Sequence, residues 1–143
     1  RAKTKEQFEV NGINSDEQNI IVDDVFNFFK YAGRKELEYD LVILDPPSFA
    51  RSKRRTFSAS KDYVELMMDA IKITKNRGVI VASTNYSNFD MKKFKQFIDI
   101  AFKEMNTSYK IEETFSLPED FRVSKDFQDG DYLKVIFVRK IGN

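Results

Sequence analysis

Asp45-Pro46-Pro47-Ser48-Phe49 places a carboxylate, a rigid turn, a hydroxyl and a ring directly after the apolar run Leu41-Val42-Ile43-Leu44. Proline lacks an N–H and fixes its φ, so the pair makes a stiff extended turn whose preceding carbonyls stay open as acceptors. Phe49 offers a face on which a flat base can stack. These groups suit a site that grips a nucleobase and positions one of its edges. A strand terminator with a buried Phe would account for the same residues in isolation; their position after a central apolar strand favours the site.

Two more polar clusters follow short apolar runs: Asp23-Asp24 after Ile20-Ile21-Val22, and Ser83-Thr84-Asn85 after Val79-Ile80-Val81-Ala82. The spacing that positions them alternates strand and helix. A helix ends at Val10, before Asn11-Gly12, and residues 20–22 are expected as a short strand. Asp23 or Asp24 caps a helix through Phe26, Phe29 and Ala32 that ends near Gly33. Residues 41–44 and 79–82 read as strands buried on both faces. Between them lie a polar loop and a helix with Tyr63, Leu66, Met67, Ala70 and Ile71 on one stripe, capped by Ser60 and followed by Gly78. Asp90 caps a further helix carrying Phe94, Phe97, Ile98, Ala101, Phe102 and Met105. Strands 109–117 and 132–139 close the chain, joined by a polar loop over 118–131. This pattern predicts an α/β fold, a partial Rossmann-like sheet that is mostly parallel with a C-terminal antiparallel strand pair and helices on both faces. Ligands of such sheets sit at the carboxyl ends of the strands, and all three polar clusters fall on that edge.

Composition excludes several chemistries. The 143 residues contain 0 Cys and 0 His, so disulfides, thiolate–imidazole metal sites and Cys or Ser–His nucleophiles are absent from this chain. No metal is expected, and no apolar run is long enough to span a membrane. With 24 Lys+Arg against 23 Asp+Glu, any anion site must be local. The one dense basic run is Arg51-Ser52-Lys53-Arg54-Arg55, beside the proposed base pocket; Arg51, Lys53, Arg54 and Arg55 are candidate RNA-phosphate contacts, with a solvated loop as the plain alternative.

The run Leu44-Asp45-Pro46-Pro47-Ser48-Phe49-Ala50-Arg51-Ser52-Lys53, then Lys61-Asp62-Tyr63, resembles the class I S-adenosylmethionine-dependent methyltransferases. Among these it is most similar to bacterial 23S ribosomal RNA methyltransferases with an N-terminal PUA domain. Residues 1–13 and the closing Gly130-Asp131-Tyr132-Leu133-Lys134 share that resemblance. It implies S-adenosyl-L-methionine as cofactor, ribosomal RNA as partner, and a cytoplasmic protein. By the same resemblance Asp24 accepts a hydrogen bond from the adenine amine, Val25 packs on the adenine, and Asp45 lies beside the sulfonium. Pro46, Pro47 and Phe49 then shape the target-base pocket, and Asn85 bonds the base or cofactor. A helix cap is the plain reading of Asp24, and a turn residue that of Asn85.

The glycine-rich cofactor loop and the ribose-binding acid of the family have no counterpart, so residues 1–143 are expected to be the C-terminal portion of one catalytic domain, inactive in isolation. The family's sheet order would leave residues 20–22 without a neighbour. Docking of that segment beside Leu41–Leu44 is expected, with a second copy of the chain (a homodimer) or the missing half as the other ways to fill the gap. Where cytosine-C5 enzymes of the family carry a Cys, this chain has Ser83-Thr84-Asn85-Tyr86-Ser87, so direct methyl transfer to a base is expected. The competing readings are a non-catalytic RNA-binding or interaction module and a different nucleotide-binding α/β domain.

Overall fold

The computed structural model describes residues 2–51, 55–121 and 132–142. Lys53 and Arg54 of the basic run, and Gly130 and Asp131 of the closing motif, lie outside the described residues.

Helix α1 (Ala2–Val10) stops at Asn11-Gly12, where Gly12 adopts φ of +69°, a left-handed conformation that glycine takes without strain. Residues 20–22 form no strand, and Ile21 and Val22 are exposed. A strand needs a neighbour for its N–H and C=O groups, and no described segment pairs with this one. The expected docking beside residues 41–44 is therefore corrected. Helix α2 (Val25–Arg34) follows, capped by the Asp24 carboxylate, which accepts from the Phe26 N–H at 3.0 Å.

Strand β1 (Tyr39–Leu44) lies at a sheet edge and buries one face. Val42 and Leu44 are buried, whereas Leu41 and Ile43 remain 55% and 66% exposed, which corrects the expectation of burial on both faces. The expected polar loop after the Pro-Pro turn instead contains a hairpin of β2 (Phe49–Arg51) and β3 (Thr56–Ser58). Phe57 is the reason: it is buried, with its ring 6.4 Å from that of Phe26, and pins the second strand to the core.

Helix α3 (Ala59–Lys72) is preceded by Ser58, so Ser60 is inside its first turn rather than its cap. The Asp62 carboxylate reaches back to accept from the Ser58 N–H at 2.7 Å. Strand β4 (Thr74–Thr84) starts before Gly78, which belongs to the strand and does not follow the helix end directly. Helix α4 (Met91–Glu104) is capped by Asp90, and β5 (Ser108–Phe115) and β6 (Lys134–Gly142) complete the fold.

The main sheet runs β1-β4-β6-β5. Strands β1 and β4 are parallel, while β6 is antiparallel to both β4 and β5, as expected for the closing pair. Val42, Leu44, Ile80, Ala82, Ile136 and Val138 share one face and form a single core with α2, α3 and α4. The opposite face carries exposed Leu41 and Ile43 and half-buried Val79, Val81, Val135 and Phe137. Helices on both faces were expected; among the described residues they cover one. Tyr63 and Phe94 meet edge to face at 4.9 Å, joining the first turns of α3 and α4 above the end of β4.

A Cβ at Gly78 would come within 2.9 Å of the Lys75 carbonyl and 3.0 Å of the Asp40 carbonyl, and both are backbone. Gly78→Ala therefore lowers stability by about 1–3 kcal/mol, seen as a lower urea midpoint with an unchanged slope.

Candidate functional site at the strand ends

The register of β1 on β4 pairs Leu44 with Ala82, so the next residues, Asp45 and Ser83, emerge side by side. Ser83 Oγ donates to Asp45 Oδ1 at 2.5 Å. Three residues beyond Asp45 and two beyond Ser83, Ser48 Oγ donates to Asn85 Oδ1 at 2.6 Å. This second bond fixes the amide so that its NH2 is left for another acceptor. The backbone behind them is also held. Tyr63, almost wholly buried, donates its hydroxyl to the Ser83 carbonyl at 2.7 Å. Burial and the nearby Asp45 carboxylate both push the Tyr63 phenol well above its ordinary pKa, so it remains a donor. Lys134 donates from Nζ to the carbonyls of Tyr86, at 3.0 Å, and Tyr132, at 2.7 Å.

On the other side of Asp45 lies a cavity of about 400 Å³. Its lining brings together Asp24, Val25, Asp45, Pro46, Pro47, Arg51 and Arg55, supplied by the start of α2, the end of β1 and the hairpin. The walls are otherwise apolar, with Phe26, Ile43, Leu44, Ala50, Phe57 and Leu66. A concave, largely apolar site with a few polar groups is the usual form of a small-molecule pocket. Asp24 uses Oδ1 to cap α2 and still borders this space.

Phe49 and Asn85 are not part of the cavity lining. Phe49 is 62% exposed on β2, and Asn85 is exposed at the end of β4. The candidate residues thus divide into a cavity group and an exposed group, with Asp45 common to the cavity and to the Ser83–Asn85 strand end. Arg55 does not behave as an open phosphate contact: its guanidinium forks onto Glu65 and stacks on Phe26 at 3.6 Å. Ser83, Ser48 and Tyr63 carried no assigned role in the sequence. Ser83 and Ser48 had a signal in their place within the polar clusters, whereas the Tyr63 contact spans 20 residues and leaves none. Among the described residues no group of His, Cys, Asp and Glu could hold a metal ion, and no helix is long and apolar enough to cross a membrane.

No family model matches the chain. It is 59% identical, over 97% of its length, to the candidate large-subunit ribosomal RNA methyltransferase YwbD of Bacillus subtilis, covering 35% of that protein. It is 31% identical to ribosomal RNA large subunit methyltransferase K of Neisseria meningitidis, over 85% of this chain and 32% of the relative. A candidate methyltransferase solved in complex with SAH superposes with a TM-score of 0.88 at 38% identity, over 97% of this chain and 36% of that one. A candidate SAM-dependent methyltransferase from Streptococcus mutans gives 0.84 at 36% identity, over 97% and 35%. Along nearly its whole length the chain is similar to part of these methyltransferases. It spans about a third of the length of the curated relatives it matches. The resemblance carried by the Asp-Pro-Pro-Ser-Phe run and the architecture agree.

Tyr63→Phe removes the donor to a buried carbonyl while keeping the ring. Stability falls by about 1–3 kcal/mol, and amide exchange at Thr84 and Asn85 becomes faster than in the unaltered chain.

Proposed function

We propose that the protein containing this chain is an S-adenosyl-L-methionine-dependent methyltransferase that acts on a base of ribosomal RNA in the cytoplasm. The observation that carries this reading is the meeting of Asp24, Val25, Asp45 and the Pro-Pro turn around one cavity. Residues 1–143 are the C-terminal portion of its catalytic domain. The remainder of the same polypeptide covers the sheet face bearing Leu41 and Ile43; the greater length of the relatives favours it over a second copy of the chain.

The cavity fits the adenine end of the cofactor. Its volume of about 400 Å³ is ample for a purine, its walls are apolar, and Asp24 has a second oxygen beyond the one spent on the helix cap. Val25, 43% exposed, offers an aliphatic surface for the ring. Asp45 lines the same space, where a carboxylate favours a cationic sulfonium. When bound, the cofactor supplies an electrophilic methyl group. The chain contains no glycine-rich loop for the methionine end, so that end is held by the rest of the polypeptide.

The chain's own residues present the base. Phe49 stacks on it, the Pro46 and Pro47 carbonyls accept from its edge, and the Asn85 amide, oriented by Ser48, donates to it. Asp45 is kept in place by Ser83, so its carboxylate needs no reorganisation as substrate arrives. With 0 Cys in the chain, transfer is direct, and positioning and exclusion of water provide the acceleration. Arg51, Lys53 and Arg54 meet the RNA backbone beside the base.

Calorimetric titration of the full-length protein with S-adenosylhomocysteine, with an assay of methyl transfer to ribosomal RNA, tests the reading. An absence of both binding heat and methyl transfer would overturn it. Asp45→Ala reduces kcat by roughly hundredfold or more, and because Asp45 is exposed the urea midpoint barely moves. Replacing Lys53 and Arg54 by Gln makes the salt dependence of RNA binding shallower, by about 0.7 in log–log slope for each phosphate that is no longer neutralised.

A further inference from the structure

Arg55 closes the basic run, yet its surroundings are those of a structural clamp. Its Nη1 donates to Glu65 Oε1 at 3.0 Å and its Nη2 to Glu65 Oε2, a two-pronged carboxylate contact. Asp62 Oδ1 stands 3.8 Å from Nη2. The guanidinium carbon lies 3.6 Å from the centre of the Phe26 ring. One cation therefore faces two carboxylates of α3 and one ring of α2, from a position at the foot of β3. Its two-pronged contact with Glu65 must be given up before the guanidinium can fork onto a phosphate. The hydrogen bond that Glu65 accepts also holds the guanidinium above its already high pKa, and Arg55 in turn holds Glu65 below the usual carboxylate value.

The same side chain lines the cavity with Asp24, Val25 and Phe26, and Asp24 acts on it electrostatically. Three elements that form the cavity meet at this one planar group: α2 through Phe26, α3 through Glu65, and the hairpin through Arg55 itself. Each hairpin strand contains only three residues, so Phe57 and Arg55 carry much of its attachment to the helices.

We infer that Arg55 is a positioning residue for the adenine end of the cofactor, locking the β2–β3 hairpin to α2 and α3 so that the Asp24–Val25 side of the cavity keeps its shape. This rests on the cofactor reading of the cavity. Arg55 acts through the wall it holds, and Glu65 is the partner that fixes it. A lysine could not replace it, because a single ammonium neither forks onto a carboxylate nor stacks flat on Phe26.

The test uses the full-length protein and measures the affinity for S-adenosylhomocysteine and for adenosine by calorimetry. Arg55→Gln weakens both about tenfold, and Arg55→Lys does not restore them. Glu65→Gln, at a largely exposed carboxylate, weakens both in the same direction without threatening the fold. The double variant is no worse than Arg55→Gln alone, because both changes release one clamp. In steady state the loss falls on KM for the cofactor with kcat little changed, and the salt slope of RNA binding stays that of the unaltered protein. Unchanged adenosine affinity in both single variants, or a shallower salt slope with cofactor affinity intact, would overturn the inference and leave the proposed function standing. An unaltered protein that binds neither ligand would overturn the proposed function, and this inference with it.

Discussion

The parallel register between β1 and β4 is the constraint from which the site follows. Pairing Leu44 with Ala82 sends Asp45 and Ser83 out of the sheet together. Their hydrogen bond, and that between Ser48 and Asn85, then join two turns separated by almost forty residues of sequence. A slip of one residue would turn Val42 and Leu44 away from the core and break both bonds. The buried face thus fixes the polar edge: Val42, Leu44, Ile80 and Ala82 hold the register, and the hydroxyl and carboxylate chemistry inherits it.

Much of this was legible in local pattern. The stripes of α3 and α4, the Asp24 and Asp90 caps and the antiparallel closing pair follow from helical spacing, capping chemistry and the lack of a helical pattern between the last two strands. The Asp-Pro-Pro-Ser-Phe run and the polar strand ends marked the edge of the sheet at which the cavity lies. What the pattern misplaced depended on partners distant in sequence. Residues 20–22 have strand-forming side chains but no neighbour to pair with. Leu41 and Ile43 read as buried because apolar residues usually are, yet among the described residues no element covers them. The β2–β3 hairpin was hidden in a stretch rich in Arg, Lys and Ser, where only Phe57 hinted that the chain turns back to the core.

Arg55 shows how a charge run can mislead. Counted by composition it joins Arg51, Lys53 and Arg54 as one cationic patch. In three dimensions Glu65 and Asp62, ten and seven residues further on, claim it for α3, and Phe26 gives it an apolar bed. Helical geometry is responsible. The first two turns of α3 carry both carboxylates towards the hairpin, at a spacing that a linear reading of charge does not reveal. The two described cations of this run, Arg51 and Arg55, both line the cavity, and Arg55 helps to build its wall.

Ile43 has a double position whose thermodynamic meaning is wider than its exposure suggests. It lies on the uncovered face of the sheet and also lines the cavity. Whatever covers that face must contact the side chain that helps to shape the pocket. Covering that face and filling the cavity are thereby coupled through one side chain, and each shifts the other by the same free energy. In this architecture the sheet surface and the pocket form one thermodynamic unit, joined at a single isoleucine.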